Sequence, residues 1–85
     1  MSEDEEICNL ADLFSEKLPD FRIETVKNYV SHGENMLALE LLCDFFVDHD
    51  VNLSEPEYQK VVRVGKLLKI DFSGARFDYL RLRNS

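Results

Sequence analysis

The chain has 85 residues, 45% of them hydrophobic, and carries 17 acidic against 10 basic side chains, for a formal net charge of -7 and a pI near 4.7. That length suits one domain, residues 1–85, with enough apolar material for a single core without metal or disulfide staples. The acidic balance argues against a nucleic-acid partner, whose phosphates need a basic footprint, and no apolar run reaches the ~18 residues a membrane span requires.

The opening Met-Ser-Glu-Asp-Glu-Glu is the opposite of a basic leader segment, so a reducing, cytoplasmic location is expected. Ser2 and Glu5 stand at capping-box spacing, and the acids around them suit a helix N-terminus. Ile7, Leu10, Ala11, Phe14 and Leu18 then share one face, which predicts a first helix running from Ser2 until Pro19 closes it. A second helix is expected from Asp20 or Phe21 to His32, with Ile23, Val26 and Val30 on its inner face and Tyr29 beside them. Its β-branched residues make it weak alone, so it depends on tertiary packing. Gly33 is placed to end it in a left-handed conformation.

Residues 34–49 form the densest apolar run and contain neither Gly nor Pro. Wound at 100° per residue, Leu39, Leu41, Leu42, Cys43, Phe45 and Phe46 spread round most of the circumference, the pattern of a central helix wrapped by its neighbours. Only Glu40, Asp44 and Asp48, at i, i+4 spacing, leave a polar stripe. Like charges so spaced repel by roughly 0.2–0.5 kcal/mol per pair on an exposed helix. The ridge reads either as an ordinary solvated face or as a surface that meets a basic partner, and Glu34 at the head of the helix joins it as a candidate contact.

His49 to Leu53 reads as a loop. Ser54-Glu55-Pro56-Glu57 combines a serine cap, a glutamate three residues on and a proline in the first turn, a strong helix start. Tyr58, Val61, Val62, Gly65 and Leu68 are expected on its apolar face. Gly65 costs about 1 kcal/mol relative to alanine inside a helix, which suggests a close crossing with the central helix. Lys66 and Lys69 suit its C-terminal end. Ile70 to Gly74 breaks the pattern, and a short helix over about 75–82 would bury Phe77 and Leu80 and expose Arg76, Arg81 and Arg83. Nothing alternates as a strand, so the fold expected is an all-α bundle of about four helices plus a short C-terminal one.

The charge is uneven. Residues 1–57 hold 15 acidic and three basic side chains, whereas residues 58–85 hold two and seven. Internal pairing between the halves is one explanation. The motifs of hydrolases and phosphate-binding enzymes, HExxH, GxSxG and the P-loop, are missing. Cys8 and Cys43 form no CxxC, Cys43 reads as a small core hydrophobe, and His32 and His49 stand apart from any ligand cluster. No catalysis, cofactor or metal is therefore expected. An acyl carrier would need an Asp-Ser-Leu attachment site, and none of the serines has that context.

His32-Gly33-Glu34, the run Leu39-Glu40-Leu41-Leu42-Cys43-Asp44, Leu53-Ser54-Glu55-Pro56-Glu57-Tyr58, and Gly65 with Leu67-Leu68 and Ile70-Asp71 resemble the MafI-type immunity proteins. These are small helical antitoxins of bacterial polymorphic-toxin and contact-dependent inhibition systems. The likeness spans about residues 25–72. The chain departs from it in having no tryptophan near its end, so its last fifteen residues would be specific to its own toxin. The resemblance implies a cytoplasmic protein that binds a secreted nuclease domain, in several cases an EndoU-type ribonuclease, as a 1:1 complex. Such a nuclease has a basic substrate groove, which an acidic surface can occupy as a phosphate mimic. Partner contacts are then expected from Glu34, Glu40, Asp44 and Asp48, or else from the basic end through Arg76, Arg81 and Arg83. The alternative is a helical adaptor that docks on a protein unrelated to toxins.

Overall fold

Four α-helices form within residues 2–70, the part of the chain that the computed structural model describes. The expected short helix over 75–82, with Arg76, Phe77, Leu80, Arg81 and Arg83, lies outside the described residues.

Helix α1 spans Glu3–Asp12. Ser2 Oγ accepts the Glu5 N–H at 3.2 Å, and Glu3, Asp4, Glu5 and Glu6 fill the first turn, where carboxylates complement the helix dipole. The helix ends at Asp12, not at the proline as the periodicity suggests. Leu13 N–H is shared between the Asn9 and Leu10 carbonyls, Phe14 N–H bonds to Ala11 and Ser15 N–H to Asp12. These three-residue steps tighten the chain into turns. The apolar spacing is kept through them: Phe14 and Leu18 are both buried, and Phe14 packs on Phe46 with ring centroids 4.5 Å apart.

Helix α2, Asp20–Ser31, buries Ile23, Val26 and Val30. Helix α3, Asn35–Asp48, buries Ala38, Leu39, Leu42, Cys43, Phe45 and Phe46, while Leu41 is only half-buried. It contributes more buried residues than any other described helix and packs against α2 and α1, while α1 packs against all three of the others. Helix α4, Glu55–Leu67, carries the full capping box: Ser54 Oγ accepts the Glu57 N–H at 3.3 Å and Glu57 Oε1 accepts the Ser54 N–H at 2.8 Å. Its inner face is Val61, Val64, Gly65 and, just beyond the helix, Leu68. Val62 turns outward to a half-exposed position, because i, i+3, i+4, i+7 from Val61 selects Val64 instead. The backbone of α4 approaches that of α1 more extensively than that of α3, and Gly65 is buried on its inner face.

Three helices end the same way. After α2, Gly33 N–H bonds to Val30 O and Glu34 N–H to Tyr29 O; after α3, Asp50 bonds to Val47 and Val51 to Phe46; after α4, Lys69 bonds to Lys66 and Ile70 to Gly65. This is the Schellman motif, which satisfies the last carbonyls and reverses the chain. The left-handed position is Gly33 (φ 77°) as predicted, but Asp50 (φ 56°) and Lys69 (φ 60°) in the others. After α3 the motif's apolar pair, Phe46 and Val51, is buried.

Among the described residues no polar or charged side chain is buried, and the core is wholly apolar. Polar links between elements run over the surface. Lys17 reaches Glu57 at 2.8 Å and the Asn52 carbonyl at 3.3 Å, Lys27 pairs with Asp12 at 2.7 Å, and Arg63 with Glu6 at 3.5 Å. Two of these, Lys17–Glu57 and Arg63–Glu6, join the start of the chain to α4. No helix among the described residues is long and apolar enough to cross a membrane.

Candidate partner-binding surface

Because no charged side chain is buried among the described residues, their acidic excess, 15 carboxylates against seven Lys and Arg, is carried at the surface. The α3 ridge is graded rather than uniformly solvated. Glu40 and Asp44 are half-buried and already engaged within the molecule, whereas Asp48 is exposed. Asp48 stands in the last turn of α3, which contains no basic residue, so its charge opposes the negative end of the helix dipole.

Glu34 does not join the ridge. It precedes α3 and lines a cleft of about 380 Å³ with Glu3, Met36, Leu67 and Lys69. Asn35 Nδ2 donates to Asp4 Oδ1 at 2.7 Å, which ties this end of α3 to the start of α1. Of the four candidate acids, Asp48 therefore stands exposed at one end of α3 and Glu34 exposed at the other, near Glu3, with Glu40 and Asp44 half-buried between them. Arg76 and Arg81 lie outside the described residues.

At His49, the residue after Asp48, the structure assembles a cluster that the sequence reading did not find. Arg22, on α2, donates through Nε to His49 Nε2 at 3.2 Å, a bond that requires a lone pair on that nitrogen and so places the ring proton on Nδ1. The same guanidinium lies over the Phe45 ring at 4.5 Å and over Phe21 at 4.8 Å. Phe21 itself is 60% exposed. An exposed aromatic stacked on an arginine that is itself held by a histidine has the composition of an interface anchor. The available signal was that Phe21 sits off the Ile23–Val26–Val30 stripe; its pairing with His49 depends on how α2 meets α3.

Chemically these surfaces offer charge and apolar contact, and among the described residues no group of His, Cys, Asp and Glu is arranged to hold a metal. Burial raises the Cys8 thiol above its ordinary pKa, an effect that Lys27 opposes and Asp12 and Asp4 reinforce, which keeps it from acting as a ready nucleophile. No protein-family model, curated protein or solved structure matches the chain.

Proposed function

We propose that this chain is an immunity protein: it binds a cognate secreted bacterial toxin, a nuclease with a basic substrate groove, and neutralises it by contact without catalysis. The observation that carries this reading is Asp48. An acid in the last turn of a helix is unfavourable by about 0.3–1 kcal/mol, and Asp48 stands there exposed, next in sequence to His49, which Arg22 engages. A residue that opposes its own helix is accounted for by a partner of opposite charge. The resemblance of residues 25–72 to the MafI-type antitoxins supplies the toxin class, with an EndoU-type ribonuclease foremost, and with it a cytoplasmic site of action.

The test is to look beside the gene for a secreted protein that ends in a nuclease domain and to co-express the two. A 1:1 complex on gel filtration, loss of ribonuclease activity in vitro and protection of growth are expected. If the nuclease stays active at saturating amounts of this protein, the reading is wrong. Capture of a partner that is not a toxin would establish the adaptor alternative.

A further inference from the structure

Helices α1 and α4 lie side by side and run in opposite directions. Glu3 shares a cleft with Leu67 and Lys69, Glu6 pairs with Arg63, Leu13 lines a groove with Lys60, and Lys17 reaches Glu57. The groove, about 270 Å³, has Leu10, Leu13 and Val64 along it, with Glu6 and Asn9 on one wall and Lys60 and Arg63 on the other. Leu13 is 48% exposed, and so is Leu67, the exposed leucine of α4.

The two helices that form this face are opposite in sign. Helix α1 contains no basic residue, and α4 contains no acid after Glu57 but carries Lys60, Arg63 and Lys66. Glu5 and Asn9 are exposed on α1, as are Lys60 and Lys66 on α4, and none of these four side chains makes an ion pair or hydrogen bond among the described residues. An occupant of this face must present an acidic helix to α4 and a basic one to α1, with an apolar residue between. The face itself has that chemistry.

We propose that the α1/α4 face pairs with the same face of a second copy of this chain. A twofold axis running along the groove lays α1 of each copy over α4 of the other and brings the two Leu13 side chains together at the axis. The other in-plane axis, across the groove, would stack acid on acid and base on base. Charge therefore selects one arrangement, and each contact in it is made twice. The net charge of -7 on each copy opposes association at long range, but beyond about 8 Å it is screened at physiological ionic strength, whereas contact pairs persist. Helices of 10 and 13 residues are about 15–20 Å long, and their joint face falls short of the ~800 Å² per partner of a standard interface. The dimer is accordingly weak and forms at high concentration. It does not depend on the toxin reading.

Sedimentation equilibrium of the free protein at near-physiological salt tests this. The wild type is expected to show a reversible monomer–dimer equilibrium. Two double variants reverse one helix each, Lys60→Glu with Lys66→Glu and Glu5→Lys with Asn9→Lys, and leave the Arg63–Glu6 pair intact. Each alone should associate at least about tenfold more weakly, since like charges then face each other. Mixed in equal amounts they should form a heterodimer, because both α1–α4 contacts are again between opposite charges, one with its wild-type signs and the other with them exchanged. A wild type that stays monomeric at the highest attainable concentration overturns the proposal. So does a wild-type dimer that survives both reversals, or a mixture that remains monomeric.

Discussion

Lys69 holds a left-handed backbone at φ 60°, which for a residue with a Cβ costs roughly 1–2 kcal/mol. Lys69→Gly should relieve it and, after the extra entropy of glycine in the unfolded chain, raise stability by about 0.5–1 kcal/mol. Gly33→Ala should do the reverse by about 1 kcal/mol: a Cβ there meets nothing within 4 Å, so the cost is conformational alone. Urea midpoints measure both. At Glu57, burial raises the carboxyl pKa, but hydrogen bonds from Lys17 and from the Ser54 backbone, with the Lys17 charge, outweigh it and leave the group below its ordinary value. A carboxylate depressed in this way stabilises the fold above its unfolded pKa, and the contribution is lost as pH falls through the folded value. The drop in stability between pH 6 and pH 3 should therefore be smaller in Glu57→Gln than in wild type.

At the scale of the helices, local chemistry was a good guide to where they begin. Ser2 and Ser54 cap as their spacing implied, and Gly33 ends α2 as expected. The end of α1 was harder to read, whereas α3 stops at Asp48, where the loop from His49 was expected. Phe14 and Leu18 continue the helical spacing of α1 after its hydrogen bonds have shortened, so burial and helix length came apart. In α3, Leu42 is fully buried, and Leu42→Asp should unfold the domain, as an unpaired charge in an apolar core does. Phe45→Asp should be milder, since the Arg22 guanidinium lies over the Phe45 ring and can meet the new carboxylate. Far-UV circular dichroism and thermal melting of the two variants would show the order; equal damage would mean that Arg22 gives no such relief.

For the molecule as a binding surface, the sequence showed which residues were acidic but not which were accessible. The strict i, i+4 ridge of Glu40, Asp44 and Asp48 resolves into two half-buried members and one exposed one, because α1 and α2 pack round α3 unevenly. Glu34 proved to belong with Glu3 at the other end, a grouping made only when α1 docks beside α3. Under the immunity reading, Asp48→Lys should leave the fold intact, since it replaces an unfavourable charge with a favourable one at the helix end. Association with the toxin should slow and become less sensitive to salt, as when a steering charge is reversed. Stopped-flow kinetics at two salt concentrations would read this, and unchanged rates would exclude Asp48 from the interface.

The three ion pairs noted between elements, Lys17–Glu57, Lys27–Asp12 and Arg63–Glu6, all end on carboxylates, and each has one residue within α1 or the turns that follow it. As exposed pairs each contributes only about 0–1 kcal/mol, yet with an all-apolar core they act, together with the Asn35–Asp4 hydrogen bond, as directional clamps that hold α1 against its neighbours. Acid removes them together. At pH 2 the carboxylates are protonated, the ten Lys and Arg keep their charge, and the apolar contacts are chemically untouched. That combination should yield an acid molten globule: helices and collapse retained, fixed packing lost. Far-UV dichroism should persist at pH 2 while the near-UV signal of the aromatic residues disappears and ANS binds. Simultaneous loss of both dichroism signals would show that the clamps and the core form one cooperative unit.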